Sequence, residues 1–108
     1  MGVMINLYFN EQFVSPAEAT VLIDGVQTLV KRVMNKQDVF AFAINTSNFL
    51  SNDPIELFVQ ISALKISDAG GLADKLSEAI TAWRTGNSFP HPINLNVVPV
   101  EWHARLGL

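Results

Sequence analysis

The sequence predicts an α+β fold of two β-α-β repeats, with both helices on one face of the sheet. Three observations carry this. A stretch of alternating residues runs into a strong helix start. The same order begins again after Pro54. The chain is also poor in charge for its length. At 108 residues it has the size of one domain with one core. It is read as a single domain, 1–108, with pseudo-repeats of about 3–50 and 54–108.

Val3 to Phe9 alternates, with Ile5, Leu7 and Phe9 on one face and Met4, Asn6 and Tyr8 on the other. Period two marks a strand. Ser15-Pro16-Ala17-Glu18 then reads as a helix start: Ser15 caps, Pro16 suits the first helical position, and Glu18 completes a capping box. Leu22, Val26, Leu29, Val30 and Val33 follow at helical spacing as one apolar stripe, and the helix should end near Asn35. Val39 to Ile44 is a second strand, apolar on both faces and so expected to be covered on both.

Residues 45–53 form a polar loop, too long for a tight hairpin. From Ile55, the residues Leu57, Val59 and Ile61 alternate with Glu56, Phe58, Gln60 and Ser62. Ser67 or Asp68 can cap a second helix with the stripe Leu72, Leu76, Ile80 and Trp83. Gly70-Gly71 weakens its first turn by roughly 1 kcal/mol per glycine, and Gly86 is its expected stop. Ile93 to Val100 is the fourth strand, with Pro99 near its end, where an edge tolerates it. Each unit should cross over right-handedly between parallel strands.

Composition narrows the function. There is no cysteine, which excludes disulfides, thiolate chemistry and Cys-type zinc sites. His91 and His103 lack metal-ligand spacing, and no carboxylate cluster supports them, so neither a metal nor a cofactor is expected. No apolar run approaches a membrane span, and the N-terminal residues lack a signal peptide's pattern; a cytoplasmic location is expected. A net charge of −3 argues against nucleic acid. Charged residues are 16% and hydrophobic residues 49%, against about 25% charged in ordinary domains. That deficit, with a sheet face the helices cannot reach, predicts an oligomer. Asn45-Thr46 is expected to satisfy the backbone where strand meets loop.

The stretch "PIELFVQISALKISDAGGLADKLSEAI" resembles the opening of a small tautomerase subunit: proline, alternating strand, basic residue, Ser-Asp cap, helix. "VFAFAINTSNFLSNDPIELFVQIS", with Ile44-Asn45-Thr46 and Phe49, resembles an uncharacterised bacterial domain-of-unknown-function branch of the tautomerase / macrophage migration inhibitory factor superfamily. The resemblance implies a tautomerase/MIF-like fold, a homotrimer, and a pocket between subunits beside the start of the first strand. Members use an N-terminal proline as general base, because a terminal secondary amine in an apolar pocket has its pKa lowered toward neutrality. Pro54 matches in position, but as an internal tertiary amide it has no basic nitrogen. In the first unit Ile5 falls at the proline position, with four residues ahead of it. No catalytic residue is therefore assigned, and proline-dependent tautomerisation is not expected.

The candidate pocket residues are Ile5, Lys65, Trp102, His103 and Arg105. Lys65 falls where some tautomerases hold a substrate carboxylate, and residues 102–105 fall where such folds complete a neighbour's pocket. A small carboxylate is the ligand this set implies. Two alternatives differ in class: an isomerase-like enzyme whose base is Lys65, His103 or Arg105 at an intersubunit pocket, and a ferredoxin-like regulatory domain, which shares the element order βαββαβ.

Overall fold

Val3–Phe9 forms β1, Pro16–Met34 α1, Val39–Asn45 β2, Leu57–Ala63 β3, Ala69–Gly86 α2 and Asn94–Pro99 β4. The computed structural model describes residues 2–47, 56–101, 105 and 107–108; Pro54 and Phe49 lie outside them. The four strands make one sheet in the order β2-β1-β3-β4. β1 is parallel to β2 and β3 is parallel to β4, while β1 and β3 run antiparallel at the centre. Each β-α-β unit thus joins neighbouring strands. A split β-α-β arrangement would interpose a strand between them, so the ferredoxin-like alternative is excluded as a fold.

The two central strands carry the same burial alternation. Val3, Ile5, Leu7 and Phe9 of β1, with Leu57, Val59, Ile61 and Ala63 of β3, face the helices and are buried. Leu22, Val26 and Val30 of α1 and Leu76 of α2 meet them there. Trp83 packs so tightly on α1 that a Cβ at Gly25 would collide with its indole, which explains a glycine in mid-helix despite its propensity cost.

The helix ends show local chemistry at work. Ser15 Oγ accepts the Glu18 N–H at 3.1 Å, and Glu18 Oε1 accepts the Ser15 N–H at 2.9 Å, completing the predicted capping box. α1 ends at Asn35 in the left-handed region. Asp68 caps α2 by accepting the Gly71 N–H at 2.9 Å. A Cβ on Gly71 would strike that carboxylate, so this glycine serves the cap. α2 stops at Gly86, its last helical residue, with Asn87 as the cap and Ser88 in the left-handed region. Asn45 Oδ1 accepts the Ser47 N–H at 3.0 Å, and the Thr46 N–H donates to Phe9 O at 2.8 Å, as the strand-to-loop reading required.

An aromatic chain runs from Trp83 to Phe89 to His91, with centroids 5.5 and 5.6 Å apart. It ends where His91 Nε2 meets Glu18 Oε2 at 2.9 Å, tying the approach to β4 to the start of α1. The Ser15 backbone N–H, and then His91, hold the Glu18 carboxyl below its ordinary value of 4.5. A carboxyl whose pKa is lower folded than unfolded adds stability above the unfolded value, and that stability is lost as pH falls through the folded value. Glu18→Gln should therefore flatten the acid limb below pH 4.5, read as denaturation midpoints across the acid range. An unchanged limb would place the acid sensitivity elsewhere.

Among the described residues, no helix covers the second sheet face. Its rows across β2-β1-β3-β4 are Phe40–Met4–Ser62–Val98, Phe42–Asn6–Gln60–Asn96 and Ile44–Tyr8–Phe58–Asn94. None of these residues is charged. β2 is an edge strand, and within one chain it is not covered on both sides: Phe40 is 54% and Phe42 51% exposed.

Candidate functional site

A cleft of about 550 Å³ opens at the end of the sheet where β1 begins and β3 ends. It is a seam between the two units. The first unit supplies Val3 from the start of β1, Val33 and Met34 from the end of α1, and Lys36 just beyond the Asn35 cap. The second supplies Ala63 to Asp68 from the end of β3 and the turn after it, with Gly71, Leu72 and Lys75 from the first turns of α2. Topology explains the meeting. The antiparallel pairing of Val3 with Ala63 puts the start of β1 beside the end of β3, and each helix connection then leaves or returns at that edge.

The floor is apolar and partly sunk into the core, through Val3, Val33, Met34 and Leu72. The rim is basic: Lys36, Lys65 and Lys75 line it and are solvent-exposed. They are three of the chain's four lysines, in a chain of net charge −3. Among the described residues, no carboxylate lies within ion-pair distance of any of the three. The acidic member of the lining, Asp68, is engaged with the α2 N-terminus. Asp38, at the same sheet end, turns its carboxylate toward Gly2. Lys65 holds a φ of 57°, a left-handed conformation unusual for a side chain with a Cβ and unfavourable by about 1–2 kcal/mol.

The sequence candidates separate here. Lys65 lines the cleft. Ile5 does not: it sits in mid-strand, fully buried, opposite Ala41 and Ile61. Val3, two residues earlier on the same face, is the β1 residue at the cleft, and its N–H donates to Asp38 O at 2.9 Å. Arg105 is exposed and is not part of the lining. Trp102 and His103 lie outside the described residues. β4 ends at Pro99, paired with Ala63, so the tail leaves from the cleft's own end of the sheet. Sequence reasoning missed Lys36 and Lys75. The signal for Lys36 was its place one residue beyond a helix cap in a β-α-β unit, where the chain returns to the end of the sheet from which it set out.

Among the described residues no group of His, Asp and Glu is arranged to hold a metal ion, and no helix is long and apolar enough to cross a membrane. Among the described residues, the lining contains no histidine, glutamate or tyrosine.

No protein-family model and no curated protein sequence matches the chain. Solved structures do match it. A domain of unknown function (DUF1904) from Sebaldella termitidis aligns with a TM-score of 0.64 at 11% identity, over 98% of this chain and 97% of that one. FG41 malonate semialdehyde decarboxylase, solved inhibited by 3-bromopropiolate, aligns with a TM-score of 0.63 at 14% identity, over 97% and 89%. A fused 4-OT, a symmetric trimer, aligns with a TM-score of 0.60 at 14% identity, over 97% and 94%. These likenesses define the fold: it is the tautomerase / macrophage migration inhibitory factor fold.

Proposed function

We propose that this protein binds a small organic anion in the lysine-rimmed cleft, without proline-dependent tautomerase chemistry, and that it works as a homotrimer. The observation that carries the reading is the gathering of Lys36, Lys65 and Lys75 around one apolar-floored cleft in an otherwise acidic chain. Ammonium groups without carboxylate partners raise the local concentration of anions, and an apolar floor beneath them suits the body of an organic acid. Binding is favoured over proton transfer by what lines the cleft. The residue at the start of β1 is Val3, with its N–H committed to the sheet ladder, and Asp68 is committed to its cap. The neighbours support the ligand class and the assembly: one was solved with a small carboxylate as inhibitor, and another is a symmetric trimer. In a trimer, the tail with Trp102, His103 and Arg105 completes a neighbouring subunit's cleft. The planar fork of Arg105 would hold a carboxylate bidentately.

Lys65→Gly tests this with fold and function separated. Glycine adopts the left-handed conformation without a Cβ penalty, so stability should hold or rise by about 1 kcal/mol. Carboxylate binding, read by ligand-detected NMR with benzoate, should weaken roughly three- to tenfold as one ammonium is lost. Unchanged benzoate binding would remove the cleft from the reading. Arg105→Ala, with the oligomer monitored in parallel, tests the neighbour's share.

A further inference from the structure

We infer that the cleft selects ligands carrying two negative charges on an apolar body. This rests on the anion-binding reading above and makes it more specific. The charged side chains in the described lining are Lys36, Lys65, Lys75 and Asp68, three positive and one negative, a net of +2. The three ammonium groups come from separate segments: the residue beyond the α1 cap, the turn after β3, and the second turn of α2. Each is placed by a different part of the chain, and together they raise the positive potential over one apolar floor. A single carboxylate leaves much of this excess uncompensated, whereas a dianion offsets two charges of it, and a neighbouring subunit's Arg105 would only add to the excess. The Val33 and Met34 floor calls for an apolar body, and about 550 Å³ lies within the range of ordinary small-molecule sites, enough for an aromatic ring with two anionic substituents. A dicarboxylate and a phosphate monoester share this chemistry.

The experiment compares three probes on the full chain by amide-detected NMR titration at pH 8 and low salt. Benzoate is the monoanion, isophthalate adds a second carboxylate to the same ring, and phenyl phosphate carries both charges on one group, since its second pKa is about 6. At least one dianion should bind roughly 5- to 20-fold more tightly than benzoate, with shifts in residues 64–72. The preference should shrink to under about twofold at 0.5 M salt, as expected for exposed charges. A preference for isophthalate alone assigns a dicarboxylate, and one for phenyl phosphate alone a phosphate monoester. The double variant Lys36→Gln, Lys75→Gln should weaken both dianions by a clearly larger factor than benzoate and so lose the preference. Equal affinity for all three probes, with shifts that vanish in Lys65→Gly, would leave the anion reading standing and overturn the dianion inference. A preference that survives in the double variant would also overturn it. No shift at the cleft with any probe would overturn both.

Discussion

Ile5→Ala is expected to cost the fold about 2–5 kcal/mol, the range for truncating a fully buried aliphatic side chain. Ile5 is 0% exposed, central in β1, with a strand on either side. Against a total stability of roughly 5–15 kcal/mol, the loss should lower the melting temperature by about 10–20 °C. Denaturant titration with an unchanged m-value would show a loss of stability rather than a change of fold. Benzoate affinity, measured well below the melting temperature, should stay within about twofold, because the lost methyl groups belong to the core and not to the cleft. A well-tolerated Ile5→Ala that abolished binding would return Ile5 to the site and overturn its placement here.

Phe42→Asp is expected to separate the subunits while sparing the fold of each. In one chain Phe42 is 51% exposed on an uncharged sheet face, so a carboxylate there remains solvated and should change monomer stability by no more than about 1 kcal/mol. In a trimer that buries this face, the same carboxylate would lose its water and find the amides of Asn6 and Gln60 rather than a cation in its own row. Desolvating an unpaired charge costs several kcal/mol, enough to weaken association by on the order of a thousandfold. Sedimentation equilibrium at micromolar concentration should find the parent chain as a trimer and the variant as a folded monomer, with circular dichroism unchanged. A monomeric parent, or a variant that stays trimeric, would contradict the assembly.

Local chemistry was the most legible part of the sequence. Ser15, Pro16 and Glu18 specify the start of α1 within four residues, and the hydrogen bonds found there are those the spacing required. Alternation in β1 and β3 likewise gave the buried face. Alternation does not tell how far along a strand a given landmark sits, because Val3 and Ile5 share a face and differ only in their position along it. That position is set by pairing with Val39 and Ala63, contacts 36 and 60 residues away, and Ile5 was assigned to the cleft in Val3's place for that reason. The cover of β2 was illegible for a related reason. Its apolar residues are real, but whether the second face is covered depends on strand order and on other chains. The cleft was legible only in Lys65. Lys36 and Lys75 join it through tertiary closure: Lys36 was marked only by its place just beyond a helix cap, and Lys75 carries no local mark that separates it from an ordinary solvated lysine.

The matched central strands imply that the chain was built from one plan used twice, with an approximate twofold axis between β1 and β3. An offset of 54 residues carries Val3 onto Leu57. Such a plan brings a helix end and a strand start together at each end of the sheet, and the chain treats the two ends differently. At the lysine end, the residue just beyond the first helix is the compact Asn35, and the cleft stays open. At the other end the α2 cap is Asn87, and Phe89, two residues beyond it, is buried against Trp83, with His91 next in line holding Glu18. One plan thus serves two ends differently: aromatic packing and an acid–imidazole contact brace one, while lysines line an open cleft at the other.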